Sequence, residues 1–162
     1  MSPILRNYSK SYGLMDNAQQ IITAARALVG TPYRHQGRDP QSGVDCLGLI
    51  ICVAQVIGFD TKLDRQNYER FPDGEELRAT LLASGLVEIN RAEPGCLAQI
   101  CFRGLSGWGQ HLAVVTDAAT IIHAYERKRT GRVIEESLAK WQRGLLGQIT
   151  AYYRFPLCEI GA

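Results

Sequence analysis

Gly43-Val44-Asp45-Cys46-Leu47-Gly48-Leu49-Ile50 is the stretch on which the reading of this chain turns. Upstream stand Gly37, Asp39, Pro40 and Ser42, and downstream Leu47 to Gly58 is apolar apart from Gln55 and small residues. A loop of glycine, proline and aspartate that opens abruptly into such a run predicts a buried helix starting near Asp45. Cys46 then falls in the first turn, where free backbone N–H groups and the helix dipole favour negative charge. A thiol placed there ionises more easily, from ~8.5 toward ~3.5–7.5 when a cation is also near. That is how a cysteine becomes a nucleophile. The other reading of Cys46 is a small buried residue, as most cysteines are. This stretch alone leaves both open.

A cysteine nucleophile needs a base near its sulfur, usually histidine. The chain has three histidines. His111 opens the β-rich run His111-Leu-Ala-Val-Val-Thr116, directly after the glycine-rich Gly104–Gly109 segment, which reads as a mobile loop. His123 lies in the next such run, Thr120-Ile-Ile-His-Ala124. A hairpin turning near Asp117 sets the two histidines close to opposite, and directly opposed side chains have Cβ atoms ~4.5–5.5 Å apart. His123 then holds the far nitrogen of His111, so Cys46, His111 and His123 form a candidate nucleophile, base and orienter. A histidine on a strand is also commonly a hydrogen-bonded structural residue. His35, beside Arg34 in a loop, reads as packing near the site or meeting solvent.

Around these runs the chain divides simply. Met1 to Tyr12 lacks a period and residues 1–15 read as an N-terminal arm. Asp16 or Asn17 caps a helix through Ile21, Ile22, Ala25, Leu28 and Val29, ending at Gly30. Thr61 to Phe71 reads as a surface loop, and Asp73 with Glu76 starts a short helix that stops near Gly85. Strands are expected at Cys96–Phe102, Arg132–Ile134 and Gln148–Phe155, with Glu135 to Arg143 helical through Leu138 and Trp141. Helices first and closely linked strands afterwards give the α+β class, with an antiparallel sheet packed on the Cys46 helix. No linker or repeat divides the chain, so one domain over residues 1–162 is expected.

Composition narrows the function. Hydrophobic residues make up 46% and charged ones 21%, an ordinary globular balance. A net charge of +2 without any basic block gives nucleic-acid binding no support, and nucleotide-binding glycine loops are missing. The odd set of Cys46, Cys52, Cys96, Cys101 and Cys158 has no tight Cys-x-x-Cys pair, which argues against a disulfide framework and a structural zinc site. No cofactor is called for. The first residues lack a secretory apolar segment, and no run reaches the ~20 residues of a membrane span. The expectation is a protein made in the cytoplasm without a signal peptide and without membrane insertion.

Four pieces, in order, resemble the NlpC family of bacterial cell-wall cysteine peptidases, a papain-like group. Gly30-Thr31-Pro32-Tyr33, followed by Gly37, resembles a Gly-x-Pro-Tyr segment, and Asp45-Cys46-Leu47-Gly48-Leu49 is similar to the Asp-Cys-Ser-Gly nucleophile motif. Pro94-Gly95-Cys96-Leu97 is similar to the Pro-Gly-Asp-Leu turn before the first core strand. His111-Leu-Ala-Val-Val resembles the strand of the base, and His123 stands at the third polar position. Leu47 replaces the usual serine, Cys96 the usual aspartate, and His35 a common aromatic. The His123-Ala124-Tyr125 continuation and the Trp141 segment look more like the phage-tail and gene-transfer-agent branch.

The resemblance implies a papain-like fold and hydrolysis of peptidoglycan stem peptides, typically between γ-D-glutamate and diaminopimelate. It implies catalysis by Cys46, His111 and His123, and stem binding by Tyr33 and Asp45. The Tyr33 hydroxyl is a candidate second oxyanion donor beside the Cys46 N–H. The plainer reading of Asp45 is a helix cap, and of Tyr33 a packed loop aromatic. It further implies association with a virion or tail particle acting in the periplasm or wall, with Met1–Tyr12 and Tyr68–Phe71 as candidate docking surfaces. Acyl transfer or deamidation on the same scaffold, and an inactive structural tail protein, are the alternatives.

Overall fold

The structure is a computed structural model that describes residues 16–60, 62–127 and 130–156. The expected N-terminal arm and Cys158 lie outside the described residues. Helix α1, Asn17–Arg26, starts where Asp16 accepts from the Gln19 N–H at 2.8 Å, and it buries Ile21, Ile22, Ala24 and Ala25. A two-residue antiparallel pair follows, β1 (Arg38–Asp39) with β2 (Gly43–Val44). Helix α2, Cys46–Val56, buries every residue from Leu47 to Ala54. Each of its large apolar side chains contributes about 1.5–3 kcal/mol by leaving water. A helix apolar on all sides must lie inside the molecule, and α2 does, between α1 and the sheet.

Helix α3, Gly74–Ala83, is capped by Asp73, whose carboxylate accepts from the Glu75 and Glu76 N–H groups. The strands are β3 (Val87–Ile89), β4 (Leu97–Phe102), β5 (His111–Val115), β6 (Thr120–Arg127), β7 (Thr130–Ser137) and β8 (Gly147–Arg154). They form one sheet in the order β3-β8-β4-β5-β6-β7, antiparallel at every pairing. Alternation divides its faces. Leu97, Leu112, Val114, Ile122 and Ala124 pack on the helices, while Ala98, Ile100, Ala113, Val115 and Ile121 pack against Leu138 and Trp141. The α+β expectation, with an antiparallel sheet on the Cys46 helix, is met.

Several expectations change. Strand β7 runs on to Ser137, so Glu135 and Glu136 are strand residues, and the helix after it, α4, spans only Ala139–Gln142. Leu138 N–H bonds the Ala119 carbonyl at 3.1 Å, which ties the chain to the β5–β6 turn before α4 can begin. Residues 62–71 have no regular element, yet they are not wholly a surface loop. Leu63 is fully buried and Tyr68 points inward. The glycine-rich loop before His111 is clamped at its end: Gln99 Nε2 donates to the Gly109 carbonyl at 2.7 Å and to the Gly74 carbonyl at 2.8 Å. Gly109 N–H also bonds Thr150 Oγ1, and the Arg78 guanidinium lies 4.4 Å over the Trp108 ring.

Candidate active site

Asp45 fixes the start of α2. Its Oδ1 accepts from the Gly48 N–H at 2.8 Å and from Arg38 Nη1 at 3.2 Å. Its Oδ2 accepts from the Gln36 N–H at 2.8 Å and from the Tyr68 hydroxyl at 2.5 Å. Four donors fill the acceptor capacity of a carboxylate, and Asp45 is buried. The cavity beside it, shared with Tyr33 and His35, is only about 30 Å³. Both Asp45 oxygens are thus already bonded within the protein. Its helix-capping reading is the one the geometry fits.

Gly48 explains the glycine two residues after Cys46. A Cβ there would lie 1.9 Å from the Gly37 carbonyl oxygen, because the preceding loop crosses directly over the first turn of α2. The Thr31–Arg34 segment is held on both sides. Tyr33 N–H donates to the Gly131 carbonyl at 2.8 Å, and Arg34 N–H to the Val44 carbonyl at 3.0 Å. These bonds put the Tyr33 ring beside Cys46, with the Arg70 guanidinium 5.8 Å over it and Arg70 paired to Glu126 at 2.6 Å. Burial, and then the nearby Cys46 and Asp45, raise the Tyr33 hydroxyl's pKa, so it remains a proton-bearing donor.

Cys46 and His111 line one cavity of about 490 Å³, together with Tyr33, Arg103, Gln110 and Tyr125. Among the described cysteines Cys46 alone is partly exposed; Cys52, Cys96 and Cys101 are buried. The surroundings of the thiol oppose what its helix position favours. Burial first, and then the Asp45 charge, push its pKa up to about 12, although the Leu112 and Leu47 backbone N–H groups pull the other way. On His111, burial and then His123 hold the imidazole well below the usual histidine range, with Glu136 opposing them. Both shifts keep the proton on sulfur. They favour a neutral thiol beside a neutral imidazole.

His111 and His123 are brought together, by a different register from the expected one. Val114 faces Ile122 and Val115 faces Ile121, and this register, continued, sets Tyr125 across from His111. The hairpin turns about Ala118 instead of Asp117, with Thr116 N–H bonding the Thr120 carbonyl at 2.9 Å. His123 is therefore a diagonal neighbour, within reach of a long side chain. Its Nδ1 lies 2.8 Å from His111 Nε2. Aromatic rings close around the pair: Phe102 at 5.0 Å from His111, Tyr125 stacked at 5.3 Å on His123, and Trp141 edge-on at 5.5 Å. His35 stays outside the pair, its Nε2 at 3.1 Å from the Tyr68 carbonyl.

Four polar residues around the site escaped the sequence reading. Arg38, on β1, and Tyr68, in the segment before α3, hold Asp45, an arrangement with no sequence signal. Gln110, next to His111, has a buried Oε1 without a hydrogen-bond partner among the described residues, while its Nε2 donates to the Trp108 carbonyl. Glu136 accepts from His123 Nε2 at 3.0 Å. Extending the two-residue alternation of β7 beyond Ile134, which faces His123, would have placed Glu136 on the same face.

The sequence matches no family profile and no curated protein. Solved structures are more informative. The NlpC/p60 domain of the peptidoglycan hydrolase SagA superposes with a TM-score of 0.54 at 23% identity, covering 86% of this chain and 100% of that one. A Staphylococcus aureus protein described as similar to a lipoprotein of the NLP/P60 family gives 0.56 at 20% identity, over 86% of this chain and 42% of its own. The peptidoglycan hydrolase RipB from Mycobacterium tuberculosis gives 0.52 at 17% identity, over 96% of this chain and 68% of its own. At these identities the likeness is one of fold. The chain has the papain-like fold of NlpC/p60 domains.

Proposed function

We propose that this chain is a cysteine endopeptidase that hydrolyses peptidoglycan stem peptides. One observation carries the reading: Cys46, at a helix N-terminus, and His111, hydrogen-bonded behind it to His123, line a single cavity of about 490 Å³. Fold similarity to domains of peptidoglycan hydrolases supports the choice of substrate class.

The resting protonation sets the order of events. His111 accepts the Cys46 proton as sulfur attacks the scissile carbonyl, so the thiolate forms only as the C–S bond does. The carbonyl oxygen gains the negative charge and is met by the Cys46 backbone N–H, which has no acceptor within its own helix. The Tyr33 hydroxyl is the candidate second donor. His111 then returns its proton to the leaving amine as the C–N bond breaks. Water, deprotonated by the same imidazole, attacks the thioester and releases the acid, and the proton returns to sulfur. Gln110 and Arg103, which line the same cavity, are the candidates to meet a substrate N–H and a stem carboxylate.

Cleavage between γ-D-glutamate and diaminopimelate, and carriage on a phage-like tail or gene-transfer particle, are the finer parts of this proposal. The motif resemblance supports them. Mass spectrometry of defined muropeptides after incubation with the purified protein tests the reaction. The expected products are two stem fragments whose masses sum to substrate plus one water. Uncut muropeptides, or a product carrying a transferred amine, would overturn it. Particle association predicts the protein in washed particles; its presence only as free protein in lysates would contradict that part alone.

A further inference from the structure

The histidine pair does not end at His123. Its Nε2 lies 3.0 Å from Glu136 Oε1 on the neighbouring strand. That carboxylate is itself held by α4: Trp141 Nε1 donates to Oε1 at 3.1 Å and Lys140 Nζ to Oε2 at 3.1 Å. His123 and Trp141 are fully buried, so none of these donors has water as an alternative partner except Lys140. Hydrogen bonding by His123, above all, brings the Glu136 pKa down to about 2, and it is ionised at any working pH.

An ionised carboxylate only accepts. The proton between His123 and Glu136 therefore sits on His123 Nε2. When each ring carries a single proton, His123 Nδ1 is bare and can only accept, so the proton between the two histidines sits on His111 Nε2. The remaining nitrogen of His111, Nδ1, is then the unprotonated one. A base needs that nitrogen bare. With the opposite set of tautomers, His111 Nδ1 would carry the proton and could not accept one.

We propose that Glu136 is a positioning residue of this site, which fixes both imidazoles as Nε2–H tautomers and keeps His111 Nδ1 free to act as base. The proposal rests on the peptidase reading for its purpose, though not for its geometry. Glu136 also faces the imidazolium that forms during turnover, across His123. The other titratable or charged groups around the pair are Lys140 on the far side, Tyr125 stacked on His123, Cys46 across the cavity, and Arg70, Arg103 and Glu126 along its wall. Among these only Glu136 touches the histidine chain with a carboxylate.

Two variants separate charge from acceptor. Glu136→Gln keeps an acceptor for His123 and removes the charge, while Glu136→Ala removes both. Long-range 1H–15N NMR of the histidine rings reads tautomer and titration without any substrate. Expected are Nε2–H tautomers for His111 and His123 in the wild type and in Glu136→Gln. In Glu136→Gln, protonation of the pair moves down by about one pH unit. In Glu136→Ala, or in its folded fraction, Nδ1–H tautomers become populated. In turnover, Glu136→Gln should lose kcat roughly tenfold with little change in KM, and the acid limb of its pH profile should move down. Nδ1–H tautomers in the wild type, or identical titration in wild type and Glu136→Gln, would overturn the proposal. Should the NMR result hold in a protein that cuts no peptidoglycan, the peptidase reading fails and the role of Glu136 stands.

Discussion

His111 and His123 are joined ring to ring, Nε2 to Nδ1 at 2.8 Å, although they do not face each other across the β5–β6 ladder. The diagonal placement leaves the contact to the two side chains alone, and packed aromatic rings hold it. Removing either ring should have different consequences. His111→Ala takes away the proton acceptor and is expected to lose at least ~10²–10⁴ in kcat. His123→Gln leaves the base in place with a looser hold, and its loss should not exceed ~10². Steady-state kinetics on folded variants check this; equal and total loss in both would mean that His123 meets the substrate directly.

Stability should record the buried imidazole of His111. Its folded pKa lies well below the ordinary value, chiefly through burial. Below pH ~6.5 the unfolded chain binds a proton at this residue that the folded chain does not. Stability is therefore fully present above that pH and falls as pH drops toward the folded value, with a slope of up to ~1.4 kcal/mol per pH unit. Urea unfolding between pH 7 and 5 should show the decline in the wild type and a flatter profile in His111→Gln. Equal slopes would place the burial cost elsewhere.

Alkylation tests the neutral resting pair. Cys46 is the partly exposed thiol, so iodoacetamide should modify it before Cys52, Cys96 and Cys101. Its pKa is raised, to about 12, so the rate should keep climbing from pH 6 to 9 as the thiolate fraction grows. Peptide mapping with timed quenching measures both. A rate that levels off near pH 7 would reveal a stabilised thiolate instead.

The crossing of the loop over α2 predicts a packing defect with a defined site. Gly48→Ala drives a methyl group into the Gly37 carbonyl, on backbone and not on a flexible side chain. It should cost ~1–3 kcal/mol or more in denaturant unfolding. Cys46→Ala, at a partly exposed position two residues away, should cost far less.

Helix α2 and the positions of Cys46, His111 and His123 on their elements were legible because each follows from local pattern. An apolar run after a glycine loop makes the helix, and β-rich runs make the strands. Contacts that depend on register or on distant loops were not. A two-residue shift of the hairpin changed how the histidines meet, and ending β7 at Ile134 hid Glu136 inside a supposed helix. Strand β3, three residues at the sheet edge with Val87 exposed, carries no alternation to read. Asp45 was legible as a helix cap. Its saturation by Arg38, Gln36 and Tyr68 required the fold, because those donors come from two separate stretches of the chain.

The identity of the nucleophile is the central claim, and release of new amines from purified peptidoglycan by three proteins side by side tests it most directly. Wild type and Cys52→Ala should both release amines, because the Cys52 thiol is buried and bonded to the Arg38 carbonyl, away from the cavity. Cys46→Ala, with unchanged circular dichroism, should fall by roughly 10⁴-fold or more, to the background of the assay. A folded Cys46→Ala protein that still releases amines at the wild-type rate would contradict the assignment of Cys46 and the mechanism built on it.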